Sequence, residues 1–227
     1  MQDGENLSNI LWRSLSGSHV HLSQGTESIR RYARGYSPLI GFADPSTPDL
    51  DAIAPFCESG ERFYCAEWKG EAPSGWTVHM DTFMCAMLWS GGAAPKLEPG
   101  VDAVRLSREH VTEMTALAAL TKPGPFAERT IELGDFYGVI EDGRLVAMAG
   151  ERMQAGKLRE ISGVCTLPDQ QGRGLARALT KVVINAQLSR GQQPFLHVAS
   201  SNTRAKALYE RLGFHVDREI PLRVISK

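Results

Sequence analysis

The chain of 227 residues carries 25 basic and 26 acidic side chains, a net charge of -1, so nothing global draws it to nucleic acid or to an anionic membrane. Its 42% hydrophobic and 22% charged residues exclude a disordered chain and suit one large globular domain, or a domain with a smaller companion. The four cysteines, Cys57, Cys65, Cys85 and Cys165, form no C-x-x-C pair, which argues against a zinc site or a disulfide framework and fits a reducing cytoplasm.

Met1 to Asn6 lacks the basic segment and apolar core of a signal peptide, and no apolar run approaches membrane-spanning length, so a soluble, cytoplasmic protein is expected. Leu7, Ile10, Leu11 and Leu15 fall at helical spacing and predict a first amphipathic helix. His19 and His21 follow in a polar stretch with no third metal ligand in view, so a solvated loop or strand edge is the reading there. Ser37 to Ala43 reads as a strand closed by Asp44-Pro45-Ser46-Thr47-Pro48, with a short helix from Leu50 to Phe56. Arg62 to Trp68 and Trp76 to Trp89 are aromatic and β-rich and read as two strands paired with each other. Met80, Met84 and Met87 read as core.

Gly91 to Gly100 is the clearest linker, and the domain boundary is placed there: an N-terminal α/β subdomain over residues 1–100 and a second domain over 101–227. Val101 to Leu106 reads as a strand, Ser107 caps a helix through Leu120, and Lys122 to Phe126 breaks it. Phe136 to Ile140 and Leu145 to Met153 form a hairpin across Glu141-Asp142-Gly143-Arg144.

The informative stretch follows. Leu158 to Thr166 reads as a buried strand, Pro168 and Asp169 stop it, and Leu175, Leu179, Val182, Val183 and Ala186 give the next helix one apolar face. Between them lies Gln171-Gly172-Arg173-Gly174-Leu175-Ala176. Glycines let the backbone approach a ligand, and the free N–H groups opening a helix favour an anion, by chemistry a phosphate. The nucleoside-triphosphate loop is excluded because no Lys-Ser or Lys-Thr follows Gly174, and the dinucleotide fingerprint because Arg177 stands where its third glycine would be. Downstream, Pro194 to Val198 reads as a short buried strand. Ser201 or Asn202 then caps a helix with Ala205, Leu208, Tyr209 and Leu212 on one face, ended by Gly213. His215 to Asp217 and Leu222 to Ile225, with Pro221 between, read as one broken strand or two short ones.

Two motifs in order, the Q-x-x-G-x-A run at Gln171 to Ala176 and the run from Asn202 through Leu208-Tyr209 to Leu212-Gly213-Phe214, resemble the signatures of the GNAT superfamily of CoA-dependent N-acyltransferases. The resemblance covers Val101 to the C-terminus. It implies a GNAT fold, α/β (α+β), with a mixed central sheet flanked by helices. The N-terminal subdomain is then a plain α/β extension packed on it or, alternatively, a degenerate copy of a GNAT half that has lost its phosphate loop.

The resemblance further implies acetyl-CoA as cosubstrate and no metal. The backbone of Gln171, Gly172, Arg173, Gly174, Leu175 and Ala176 would surround its pyrophosphate, with Arg173 adding charge. The pantetheine arm would pair with the backbone of Val164 and Thr166 beside Cys165, and Asn202, next to Ala205 on the closing helix, would bond the same arm. A backbone N–H near Val164 would hold the oxyanion. Tyr209 is the candidate acid for the departing thiolate, against a plain core tyrosine. Glu160 is the candidate base, with Glu151 on the neighbouring strand second; His197 and Cys165 read as core residues. Phe126 and Glu128 are candidate acceptor contacts.

The strand Arg159 to Cys165 most resembles glycine N-acyltransferase-like members. The expected activity is therefore direct acetyl transfer from acetyl-CoA to the primary amine of an amino acid or other small molecule, without nucleic acid or membrane partners, in a chain that can form a homodimer. The competing readings are a CoA-binding interaction module without turnover and an acyltransferase for a longer chain.

Overall fold

The computed structural model describes residues 6–227; Met1 to Glu5, on which the signal-peptide reading rests, lie outside the described residues. The chain begins with α1 (Ile10–Arg13), whose end continues into a π-helical turn at Ser14–Ser18. Strands β1 (Ser23–Gly25), β2 (Ile29–Tyr32) and β3 (Leu39–Phe42) follow, then α2 (Leu50–Ile53), β4 (Arg62–Ala66) and β5 (Thr77–Trp89). After the linker come β6 (Val104–Arg105), α3 (Val111–Thr121), β7 (Phe136–Glu141), β8 (Arg144–Ala155) and β9 (Leu158–Thr166). The chain closes with α4 (Leu175–Ser189), β10 (Gln193–Ala199), α5 (Thr203–Arg211) and β11 (Phe214–Ser226).

Local chemistry explains the sharpest boundaries. Asp142 and Gly143 take φ of 50° and 73°, the left-handed pair that a two-residue hairpin requires between β7 and β8. Ser107 and His110 form a capping box ahead of α3. Asn202 accepts the Ala205 N–H at 3.1 Å and starts α5, a cap worth about 1 kcal/mol.

The eleven strands form one sheet in the order β1-β2-β3-β4-β11-β5-β10-β9-β8-β7-β6. The expectation that Arg62–Trp68 and Trp76–Trp89 pair with each other is corrected: β11 lies between them, antiparallel to β4 on one side and to β5 on the other. β5 also pairs with β10, Phe195 opposite Leu88 through Ala199 opposite Met84. A strand drawn from residues 1–100 thus sits in the middle of the sheet between two strands from residues 101–227, and the linker divides the sequence without dividing the sheet. β11 runs unbroken through Pro221, which stands in register opposite Phe83, and shifts register at Val216/Arg218 and Val224/Ile225.

The pairing pattern occurs twice. β7, β8 and β9 are successive antiparallel neighbours and β9 lies parallel to β10; β1, β2 and β3 are likewise antiparallel and β3 lies parallel to β4. The partner beyond each parallel pair is exchanged, since β10 takes β5 and β4 takes β11. One apolar cluster joins α3, α4 and α5 to strands β7 to β11 through Met114, Leu117, Leu179, Val183, Tyr209, Phe136, Leu196 and Phe214. A second places Leu7, Ile10 and Leu11 against Leu39, Met153 and Phe195, so α1 is packed on strands from both ends of the sequence. A third lies under α2, around Phe42, Phe63, Trp68 and Trp76.

Candidate active site

β9 and β10 are paired from Leu158 opposite Gln193 only as far as Ile161 opposite Leu196. β10 goes on pairing with β5 to Ala199, and β9 goes on pairing with β8 to Thr166. The two parallel strands therefore part after Ile161, leaving their facing edges without a ladder. Gly163 takes φ of 64° where β9 shifts register between Ser162 and Cys165, a bulge that turns the edge of β9 toward the opening. A cleft of about 780 Å³ fills the gap, a size suited to a small-molecule site.

One end of the cleft is the turn into α4. Gln171, Gly172, Gly174, Leu175 and Ala176 line it, and Gly172 and Gly174 have φ of 83° and 79°, which a side chain would strain. No side chain caps α4, which leaves the N–H groups of its first turn without a side-chain acceptor where Gly174, Leu175 and Ala176 line the cleft. Val164, Cys165, Thr166, Asn202 and Ala205 also line it; among them Thr166 Oγ1 is buried without a partner among the described residues. The expected role of Arg173 is corrected: it does not line the cleft, because its guanidinium is paired with Glu141 at 2.7 Å. Arg177 and Arg204 line the cleft instead.

The base expectation is corrected too. Glu160 is fully buried. Arg152 donates to its two oxygens from Nε and Nη2, each at 2.8 Å. Burial alone would raise its pKa, but the charge and hydrogen bonds of Arg152, with that of His197, overcome this and hold it down to about 2. A carboxylate so engaged does not take a proton from an amine near neutral pH. Glu151 is equally occupied, held by Arg159 at 3.1 Å, by the Asp135 N–H at 3.0 Å and by Arg190, and it does not line the cleft.

His197 is the group that Glu160 serves. Its Nδ1 lies 2.9 Å from Glu160 Oε1, its Nε2 is buried without a partner among the described residues, and the residue is among those lining the cleft. An ionised Glu160 can only accept, so Nδ1 carries the hydrogen and the Nε2 lone pair is left without a partner. Glu160 thus fixes the orientation of the His197 ring. Glu151 and Arg152 are the two charges in the otherwise apolar strand Val146 to Met153 and point to opposite faces of it, so each needs a countercharge of its own, and His197 is a polar residue on the strand beside Glu160.

Tyr209 lines the cleft on α5, with its ring edge-on to Phe214 at 6.0 Å. Burial, helped by Cys165, pushes its pKa up to about 12, so the phenol keeps its proton at neutral pH. Cys165 is buried and its thiol is pushed up to about 11, chiefly by burial, as suits a core cysteine. Phe126 packs on Phe136 with ring centroids 5.7 Å apart, and neither it nor Glu128 lines the cleft; the neighbouring Lys122 to Pro125 does. The far end is made by residues before the linker, among them Asn9, Leu39, Tyr64, Glu67, Met80 and Met84.

Comparison with known proteins gives a consistent picture. The FR47-like protein family matches residues 136–221. A crystal structure of a GNAT-family protein from Novosphingobium aromaticivorans, described as an acetyltransferase, is 37% identical, with a TM-score of 0.88, over 97% of this chain and 98% of that one. A mycothiol acetyltransferase of Streptomyces griseus is 30% identical over 137 residues, covering 56% of this chain and 44% of its own length. One of Kocuria rhizophila is 47% identical over 64 residues, 26% of this chain and 21% of its own. The chain spans less than half the length of these curated relatives.

Proposed function

The chain belongs to the GNAT family, and from that premise we propose that it transfers the acetyl group of acetyl-CoA to the primary amine of a small molecule. The observation that carries the reading is the parting of β9 and β10 after Ile161 and Leu196, with the glycine turn of α4 at one end of the opening and His197 and Tyr209 lining it. The fit to the cosubstrate rests on the uncapped first turn of α4 for phosphates and on the unpaired edge of β9 for an extended amide-bearing arm. Acetyl-CoA supplies an activated acyl thioester when bound.

The side chains divide the proton work. His197 Nε2 receives a proton from the ammonium form of the acceptor, Glu160 holding the ring in the tautomer that allows it. The amine nitrogen then bonds to the carbonyl carbon, whose oxygen a backbone N–H at the bulge of β9 can hold, and the C–S bond breaks. Tyr209 gives its proton to the departing sulfur and is restored by the remaining proton lost from nitrogen. His197 returns its proton to solvent.

An amino acid or another small amine, a glycine N-acyltransferase-like subgroup, cytoplasmic residence and a homodimer belong to the same proposal, and a mycothiol-related amine joins the acceptors because of the names of the relatives. The test is purified protein with acetyl-CoA and a panel of amino acids, amino-acid amides, polyamines and peptides, following free CoA and acetylated product by mass spectrometry. Amine-dependent product is expected. Tight binding of acetyl-CoA with no product from any amine would instead favour a binding module without turnover.

A further inference from the structure

The end of the cleft opposite the glycine turn carries a carboxylate outside the superfamily's motifs. Glu67 lies one residue beyond β4, with φ of 66°, a left-handed conformation uncommon for a residue with a side chain and kept only where the surroundings enforce it. Two bonds do so. The Glu67 N–H donates to Pro221 O at 3.0 Å, and Glu67 Oε1 accepts from the Asn9 N–H at 2.7 Å. The second carboxylate oxygen has no hydrogen-bond or ion-pair partner among the described residues.

The surroundings say what such an oxygen could hold. Glu67 is half-buried and lines the cleft. Burial raises its pKa, and the Asn9 N–H and the charge of Arg218 draw it part of the way back. Ile10, Leu39, Tyr64, Met80 and Met84 make the walls largely apolar. The other charges at this end are committed: Arg152 to Glu160 at 2.8 Å and Arg218 to Asp217 at 2.9 Å, with Lys122 exposed at the lip. What remains is one half-buried carboxylate in a cleft that His197, with its unpartnered ring nitrogen, also lines, a setting that suits a cation with N–H groups.

We propose that Glu67 binds the ammonium group of the acceptor beside His197, and that the acceptor is a primary amine whose neighbouring carboxylate is amidated, esterified or absent. This rests on the acetyltransferase reading above. A free amino acid would bring a second carboxylate into a cleft that Glu67 already makes negative, with the guanidinium of Arg152 committed to Glu160. Glu67 is therefore a specificity-determining residue; it binds the amine and neither gives nor takes a proton.

The test compares L-leucinamide, L-leucine and butylamine as acceptors for the wild-type chain and for Glu67→Gln, which keeps the shape of the side chain and an oxygen for the Asn9 N–H. The wild type is expected to favour the amide and the alkylamine over the free acid by about tenfold or more in kcat/KM. Loss of a charge-assisted hydrogen bond should raise the acceptor KM of Glu67→Gln by about 10- to 100-fold, with Tm and the KM for acetyl-CoA unchanged. Glu67→Asp, which keeps the charge, should fall between. Preference for free leucine, or a Glu67→Gln acceptor KM equal to the wild type's, overturns the assignment and leaves the acetyltransferase reading standing. No CoA release with any amine, despite acetyl-CoA binding, overturns both. The amide-against-acid ratio of the wild type decides the matter even if the variant does not fold.

Discussion

Replacing Glu160 with Gln removes one negative charge from a fully buried site while keeping its volume. In the folded chain this carboxyl is held at about 2 against an ordinary 4.5. A folded pKa below the unfolded one contributes stability that is complete above the unfolded value and lost as pH falls through the folded one. The window here runs from 4.5 down to about 2. At about 1.4 kcal/mol per pH unit the ionised pair contributes on the order of 3 kcal/mol at neutral pH. That agrees with the roughly 3–5 kcal/mol lost when one partner of a buried pair is removed, as Arg152 would then be left without its countercharge. For a chain of this size the expected fall in Tm is about 6–12 °C. Denaturant unfolding of both proteins at pH 7 and pH 3 isolates the effect, because every other titrating group is common to the two. The difference should shrink from ~3 kcal/mol at pH 7 to ~1.5 kcal/mol at pH 3, because below 4.5 the unfolded wild-type chain takes up the proton that the folded one still lacks. A difference under ~1 kcal/mol at pH 7, or one that stays constant down to pH 3, would refute the buried pair.

His197→Gln should lower kcat/KM for the amine by about 10²- to 10⁴-fold without changing the dissociation constant of acetyl-CoA measured by calorimetry; unchanged turnover would remove His197 from the chemistry. Tyr209→Phe should lower kcat by about 10²-fold or more. Because burial sets the phenol at about 12 and an acid works only while protonated, the wild-type profile should show no falling limb from this group below pH 11; a limb near pH 9 that vanishes in the Phe variant would contradict that. Arg173→Ala should leave acetyl-CoA affinity within about twofold, since the side chain serves Glu141, whereas Gly174→Val should weaken it by tenfold or more because φ of 79° is strained for a β-branched residue; calorimetry separates the two. Residues 101–227 expressed alone lack β5 and should show no dispersed amide spectrum by NMR; a cooperatively unfolding fragment would refute the need for the exchanged strand.

Features set by adjacent residues were legible in the sequence, and features set by long-range pairing were not. The glycine turn at Gln171 to Ala176, the Asn202 cap and the Asp142-Gly143 hairpin depend on backbone chemistry within a few residues, and each is where the sequence puts it. The hairpin β1–β2 was missed because Ile29-Arg30-Arg31-Tyr32 has no alternating apolar pattern; Arg31 is buried and paired with Glu61 from another part of the chain. At the site, motif offset alone marked Glu160 as a base. What disposes of that role is register: the pairing that sets Glu151 opposite Ile161 brings Arg152 beside Glu160, and a side chain that reads as reactive by position becomes a fixed anion.

The exchange of β5 and β11 bears on how such a chain selects its acceptor. Thirteen-residue strands β5 and β11 pair along nearly their whole lengths, from Phe214 opposite Trp89 to Ser226 opposite Thr77. One flank of this ribbon completes the sheet at β10 and the other completes it at β4. β10 carries His197, and Glu67 follows directly on β4, so a continuous hydrogen-bonded ladder fixes the separation between the imidazole and the acceptor end of the cleft. Elements joined in that way do not close as a lid closes. Discrimination then has to come from the shape and charge already present in the wall, from Glu67, Tyr64 and Met80, with the Lys122 to Pro125 loop the main segment at the cleft that lies outside strands and helices. On the proposed reading the motif-bearing half carries the chemistry and the motif-free half the choice of amine, so substitutions before the linker should change which amine is acetylated while leaving acetyl-CoA binding intact.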